Sequence, residues 1–246
     1  MEQNTYIFGI RAIIEAINAN KTLDKVFYLK GLQGDLYSEL NKLVKKENIT
    51  TSFVPVEKLE KLSKFQNHQG VVARISPISF VSIDSMIEKV LSNEAKKPLF
   101  LLLDHITDVR NFGAIIRTAE CTGVDGIIIP DTGNAPLNAT TIKTSAGAAF
   151  KIPIAKVNHI KDAVFHLQAA DISIVAATEK TNNTIYDISL NEPLAIIMGS
   201  EDRGINPSVL KIVNHKAKLP LLGTIESLNV SVACGAILYE VLRQRM

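Results

Sequence analysis

The residues best suited to chemistry fall in three stretches, each placed after a strongly apolar run. In "DHITDVRNFGAIIRTAECTG" the notable side chains are Asn111 and Arg117. Asn111 is suited to capping the helix that follows. Arg117 is flanked by Ala114, Ile115, Ile116 and Ala119, and an arginine in such company either snorkels to water or meets an anion. In "IIMGSEDRGINP", Glu201 follows Gly199, a residue that permits a positive φ or a close backbone approach. Alone, such a loop carboxylate is a cap or a solvated group. In "LPLLGTIESLNVSVA", Glu226, Ser227, Asn229 and Ser231 crowd the start of a helix that needs one capping side chain. Redundant capping explains one of them. Backbone N–H groups at such an end also receive an anion or a carboxylate. Three polar loops, each with more polar groups than capping uses, point to one composite site.

The motifs that are missing narrow the chemistry. There is no GxGxxG after a strand, which argues against a dehydrogenase, and no GxxxxGK[ST] for nucleotide hydrolysis. GxSxG and HExxH are absent as well. Five histidines are scattered, and His105, the one near these loops, reads as a loop residue rather than a base. Cys121 and Cys234 lie in apolar helical surroundings, outside any CxxC pair, and are expected as buried free thiols. No metal site is expected.

The elements that must position these loops follow from hydrophobic patterning. From residue 99 onward, "LFLLLD", "GIIIP", "ISIVAA" and "LAIIMG" are near-continuous apolar runs, as in strands buried on both faces of a mainly parallel sheet. Helical stretches such as "FGAIIRTAECTG" and "KDAVFHLQAAD" lie between them. The expected domain, 99–246, is an open α/β sheet with helices on both sides, whose ligands bind beyond the carboxyl ends of the strands. It closes with a short strand in "LPLL" and a helix whose face carries Ala233, Ile237 and Val241, joined by Ala236.

The front of the chain alternates helix and strand on a smaller scale. Ile10, Ile13, Ile14 and Ile17 form one helix face, and "LYSELNKLVKKEN" and "PVEKLEKLSK" read as further helices. "KVFYL", "TSFV" and "GVVARI" read as strands, giving a small layered α/β domain over 1–76. Residues 77–98, with two prolines and a helix opened by Ser82 or Asp84, suit a connector.

Bulk properties are permissive. The chain has 246 residues, 46% hydrophobic and 21% charged, with a net charge of +2, too small to demand a nucleic-acid partner. Residues 1–75 carry 11 Lys or Arg against 8 Asp or Glu, whereas 99–246 carry 13 against 14. The basic excess therefore sits at the front. No apolar run approaches the ~20 residues of a membrane span, and the N-terminus lacks a signal-peptide pattern. A cytoplasmic protein is expected.

Together, "DVRNFGAIIRTAECTGV", "IIMGSEDRGI" and "LPLLGTIESLNVSVACGAILYE" resemble the three ordered signature motifs of the SpoU (TrmH-like, SPOUT) RNA 2′-O-ribose methyltransferases. "LNATTIKTSAGAA" resembles the family's substrate-side segment. "YIFGIRAIIEAI" with "HQGVVARI" resembles the L30e-like substrate-binding domain that a subset of the family carries in front. The resemblance implies S-adenosylmethionine as cofactor, a deep trefoil knot in the C-terminal domain and a homodimer built on the knot region. By motif position it implies functional roles for Asn111, Arg117, Glu201, Ser227 and Asn229. It places the cofactor against Gly199, Leu219 and Leu228, with Thr178 as a further contact. The RNA partner it implies is rRNA, through a guanosine ribose of 23S rRNA, with a tRNA guanosine as the alternative. A non-catalytic RNA-binding protein of the same fold is the remaining alternative, and the intact polar positions argue against it. RNA contacts in the front domain are expected at Arg11, Lys42, Lys45 and Lys46. Arg117 is expected to anchor a phosphate and stabilise charge on the 2′-oxygen, because a guanidinium rarely gives up its proton. Glu201 is expected to orient Arg117 or to take the proton through water, with Asn111 and Asn229 fixing ribose and phosphate.

Overall fold

The computed structural model describes residues 6–225 and 227–246. The chain divides into two compact units, Met1–Ser79 and Phe80–Met246.

The first unit runs β1 (Tyr6–Phe8), α1 (Ile10–Asn18), β2 (Leu23–Leu29), α2 (Asp35–Lys46), β3 (Thr51–Val54), α3 (Val56–Leu62) and β4 (Val71–Ile75). Its sheet has the order β1-β4-β2-β3. β4 is antiparallel to both β1 and β2, and β3 is parallel to β2. Strand alternation assigns the two faces. Val26 and Tyr28 of β2 meet Ile13, Ile14 and Ile17 of α1 and Leu40 and Val44 of α2. Phe27 turns the other way, to Leu59 of α3 and Val72 of β4.

The second unit contains α4 (Ile83–Leu91), β5 (Leu99–Asp104), α5 (Val109–Cys121), β6 (Gly126–Pro130), α6 (Ala139–Thr144), β7 (Ile154–Val157), α7 (Ile160–Ala169) and β8 (Ser173–Ala177). β9 (Leu194–Gly199), α8 (Pro207–Leu210), β10 (His215–Ala217) and α9 (Val230–Arg245) complete it. The sheet order is β10-β8-β9-β5-β6-β7, with every pairing parallel. β5, β6 and β7 wind outward in one direction, and the chain then returns past β5 to build the other half. The order therefore reverses between β5 and β9, where Asp104 is paired with Gly199 at the carboxyl edge. In open parallel sheets this crevice is the place for a ligand. Phe100 and Leu102 of β5 share a core with α4, α7 and α8. Leu101 and Leu103 point to the opposite face, and α9 packs on α5 and β9.

Several expectations change here. The segment read as a connector is core. Ser82 caps α4 by accepting from Ser85 N–H, and Ile83, Met86 and Ile87 are buried with the sheet residues. α4 sits so close to β6 that a Cβ on Gly126 would lie 2.2 Å from Met86 Sδ. The second unit thus starts at Phe80 rather than at 99. The last short strand is His215–Ala217, just before the "LPLL" expected. Helix α9 buries Val230, Cys234, Ile237, Leu238 and Val241, so its inner face is rotated from the one expected and Ala236 is exposed. Of the two thiols, Cys234 is buried and Cys121 is exposed.

Candidate active site

The site starts from two helix caps. Asp108 caps α5, its Oδ1 accepting from the N–H groups of Arg110 and Asn111 at 2.8 Å each. This relieves Asn111 of the capping role the sequence allowed it. Asn229 caps α9, its Oδ1 accepting from Ser231 N–H at 3.0 Å, Val232 N–H at 3.4 Å and the Ser231 hydroxyl at 2.6 Å. Only its oxygen is used in this way. Its Nδ2 donates to Asn111 Oδ1 and to Glu201 Oε1, both at 3.0 Å. Asn111 Nδ2 donates to the same Glu201 oxygen at 2.8 Å, and Val230 N–H reaches it at 3.4 Å. Three chain-distant stretches thus close a ring, Asn111–Glu201–Asn229. Glu201 Oε1 is the hub; Oε2 has no protein hydrogen bond among the described residues. A carboxylate with one oxygen held by three N–H donors and the other open is fixed in direction yet still able to accept.

The loop carrying Glu201 is tied to the sheet by a residue that the sequence reading did not single out. Asp104, buried at the end of β5, accepts from Asn206 N–H at 2.8 Å through Oδ2 and pairs with His105 Nδ1 at 2.6 Å through Oδ1. Its signal was in plain view, since "LFLLLD" is an apolar strand that ends in a carboxylate. Gly199 is also a packing residue. A Cβ there would lie 2.3 Å from the backbone of Gly204 and Ile205, so the close approach that requires glycine is to the chain's own turn.

The other expected residues fall around this ring. Ser227 is exposed in the loop before Asn229. Leu219 is half-buried just after β10, and Leu228 is exposed. Thr178 is buried, and its N–H donates to Ala217 O at 2.9 Å while its hydroxyl oxygen accepts from Lys180 N–H at 3.2 Å. Lys218 pairs with Asn183 and Ile185, which stitches the loops after β8 and β10 together. Beyond that stitch, none of the described residues from 219 to 228 uses its backbone in a hydrogen bond to another protein group. Leu222 is fully exposed at 100% and Ile225 is 77% exposed. Glu226, counted among the polar groups at this helix start, lies outside the described residues.

Arg117 is apart from the ring. It is exposed on α5 and has no hydrogen-bond or ion-pair partner among the described residues. Within one chain, Glu201 therefore does not orient it. In the first unit, Arg11, Lys42, Lys45 and Lys46 are all exposed. Lys42 shares a shallow groove with Asp35 and Glu39, an acidic setting that does not favour phosphate.

Beneath the site the scaffold is closed. Burial pushes the Cys234 thiol up to about 12, so it is inert inside α9. Among the described residues no group of three or more His, Cys, Asp or Glu has the arrangement of a metal site. No helix among them is long and apolar enough to cross a membrane.

Residues 98–239 match the SpoU rRNA methylase family, and residues 6–81 match the RNA 2′-O ribose methyltransferase substrate-binding family. The chain is 33% identical over 244 residues to a putative TrmH family tRNA/rRNA methyltransferase, YacO, of Bacillus subtilis (strain 168), covering 99% of this chain and 97% of that protein. It is 32% identical over 244 residues to the 23S rRNA (guanosine-2′-O-)-methyltransferase RlmB of Vibrio vulnificus (strain CMCP6), covering 99% and 98%. Among solved structures it resembles the SpoU methyltransferase AviRb from Streptomyces viridochromogenes, with TM-score 0.61, 25% identity and coverage of 98% of this chain and 89% of that one. AviRb is also known in complex with the cofactor AdoMet. That likeness, at 23% identity with TM-score 0.61 and coverage of 98% and 90%, is one of fold.

Proposed function

The chain belongs to the SpoU family of RNA 2′-O-ribose methyltransferases, and from that premise we propose that its methyl donor is S-adenosylmethionine and its acceptor a guanosine ribose of 23S rRNA. The observation that carries the reading is the Asn111–Glu201–Asn229 ring at the topological switch point, beside a loop whose backbone is uncommitted. That loop fits the donor. An adenosine needs apolar walls and backbone hydrogen-bond partners, and the described residues among 219–228 offer exposed Leu222, Ile225 and Leu228 with backbone groups not bonded to other described residues. Leu219 and Leu228 would wall the base, and Gly199 would keep the edge of β9 flat beneath it. Thr178, with its own N–H and hydroxyl engaged, contributes shape.

The bound donor supplies an activated methyl group on a positively charged sulfur. The acceptor hydroxyl must lose its proton as the new C–O bond forms. Glu201 would serve that step, taking the proton directly or through water on Oε2, which has no hydrogen bond to a described residue. Asn111 and Asn229 hold Oε1 and so position the carboxylate. Ser227, exposed two positions before Asn229, would meet the acceptor side. Arg117, charged and without an internal partner, anchors the neighbouring phosphate and stabilises negative charge on the 2′-oxygen. Much of the remaining acceleration is alignment.

The working unit is a homodimer. Val232, Ala236 and Tyr239 form an exposed stripe at helical spacing on α9, and covering it buries apolar surface. It also gives Arg117, on the adjoining α5, a setting outside its own chain. The knot implied by the family motifs belongs to the same region. The first unit captures RNA, and the protein works in the cytoplasm.

The test is methylation of 23S rRNA and tRNA transcripts with labelled S-adenosylmethionine, followed by mapping. Label on a 2′-oxygen of a 23S guanosine is expected. Label confined to tRNA would overturn the rRNA assignment, and no label on either RNA would overturn the reading as a whole.

A further inference from the structure

At one end of the first unit, three loops are fastened together. Gly9, between β1 and α1, leaves Ile10 N–H to be satisfied by Gln69 Oε1 at 3.1 Å. Leu29 N–H donates to Gly70 O at 2.8 Å, and a Cβ on Gly70 would lie 2.8 Å from Leu32. The loops after β1, after β2 and before β4 therefore emerge side by side. What they display is unusual for a surface. Phe65 is 77% exposed. It and Lys64 adopt left-handed backbone, with φ of 59° and 54°, a conformation that costs of order 1 kcal/mol or more per non-glycine residue. The turn is nonetheless pinned. Phe65 N–H donates to Glu60 O at 2.7 Å, and the buried Ser63 hydroxyl bridges Glu60 O and Gln66 O at 3.2 and 3.1 Å. Gly70 N–H meets His68 Nδ1 at 3.0 Å. A rigid, strained turn that holds an aromatic ring in water has no packing purpose. Arg11, in the first turn of α1 beside the first of these loops, and Lys30, on the loop after β2, are exposed cations.

We propose that this three-loop end is a platform for an unpaired nucleotide, with a base stacked on Phe65 and the flanking phosphates held by Arg11 and Lys30. The proposal rests on the reading of the chain as an enzyme that acts on RNA. Aromatic rings accept any base by its π-face, and a pre-ordered ring loses little entropy on stacking. A duplex keeps its bases paired and offers the ring nothing. The Lys42–Lys45–Lys46 face of α2 has no exposed ring in that helix and is a solvated surface.

The full chain should be titrated by fluorescence anisotropy with a labelled unstructured single-stranded RNA and with a duplex of the same length. The single strand should bind more tightly. Phe65→Ala should weaken single-strand binding by about 5- to 100-fold and leave duplex binding unchanged; Phe65→Trp should retain it. A 2-aminopurine in the single strand should be quenched by the wild type and not by Phe65→Ala. Arg11→Ala and Lys30→Ala should each lower the salt slope by about 0.7. Lys45→Ala with Lys46→Ala should change neither. In methylation assays Phe65→Ala should raise KM for RNA with kcat preserved. Equal binding of single strand and duplex, or unchanged single-strand affinity in a folded Phe65→Ala, overturns the platform while leaving the enzyme reading intact. A wild type that methylates no RNA overturns the enzyme reading instead.

Discussion

The two ends of helix α9 are built to opposite rules. At its C-terminal end every strong donor has a partner. Arg245 donates to four backbone carbonyls, Leu190 at 3.1 Å, Lys97 at 2.8 Å, Pro98 at 3.2 Å and Glu192 at 2.6 Å. Gln244 accepts from Leu190 N–H at 2.8 Å and donates to Ile188 O at 3.2 Å. These groups lock the helix to the chain entering β5 and β9. At the N-terminal end Asn229 is engaged, but the described residues of the loop before it leave their backbone unbonded to one another or to the rest of the described chain, and Leu221, Leu222 and Leu228 are exposed. Arg245 and Arg117 repeat the contrast. The first has four carbonyls, and the second has no partner among the described residues. A helix anchored at one end and open at the other places its open end accurately while keeping it available, as a preorganised site requires.

The contrast is broken most severely at Arg117. Arg117→Ala removes no hydrogen bond or ion pair to any described residue, so the melting temperature should hold, while methyl transfer should fall about 100- to 10,000-fold if the guanidinium meets the developing charge. Arg117→Lys should also be poor, because lysine lacks the planar fork. Near-normal turnover in either variant would show that the partnerless arginine is merely solvated.

Arg245→Ala should do the reverse. It strands carbonyls that a charged donor now satisfies, and should cost about 2–4 kcal/mol of stability by denaturant titration. Turnover per folded molecule should change little. A large loss of kcat at unchanged stability would mean that the anchored end also shapes the chemistry.

Asn229 lies between the two extremes and separates its two tasks. Asn229→Ala should cost about 1 kcal/mol as a lost cap. Asn229→Asp keeps the capping oxygen and loses both Nδ2 bonds, setting a second carboxylate against Glu201. Its stability should exceed that of the alanine variant, while its activity should drop at least about 10-fold. If the aspartate variant is as active as the wild type, the ring of amides does not position Glu201.

The sequence made some of this legible and hid the rest for physical reasons. Buried strands are plain because a strand covered on both faces must be apolar throughout, so β5, β6 and β9 were readable to their ends. β10 was not, as three residues at a sheet edge carry little pattern. Helix α4 was legible as a helix opened by Ser82 or Asp84, but its place in the core was not, because Pro77, Lys96, Lys97 and Pro98 flank it and its three core residues are too few to set a period. That Asn111, Glu201 and Asn229 belong to one site could be inferred from their shared position after buried strands. Their hydrogen-bonded ring could not, since it depends on Asp108 taking the cap of α5 and on the reversal of strand order between β5 and β9. Gly199 shows that a glycine's packing partner is hidden from the sequence, since a Cβ there would meet the backbone of its own loop at Gly204 and Ile205.

The smallest effect lies at the anchored end, where Glu240 accepts from Arg243 Nε and Nη2, each at 2.8 Å, and from Gln244 Nε2 at 2.8 Å. The hydrogen bond from Arg243 is the main cause that lowers the Glu240 carboxyl to about 2; burial opposes it, and Gln244 assists. A depressed carboxylate stabilises the fold above its unfolded value, ~4.3. That contribution shrinks as the pH drops below this value, and it is gone once the pH has fallen through about 2. Because the Arg243 side chain is largely exposed, the pair should contribute no more than about 1 kcal/mol. Arg243→Gln should therefore lower stability slightly at neutral pH, and the gap to the wild type should close as acid is added below ~4.3. Urea titrations at neutral pH and at successive acid steps measure that gap. A gap that stays constant down to the lowest pH would show that Arg243 acts through packing of its stem against α9 rather than through the charge of Glu240.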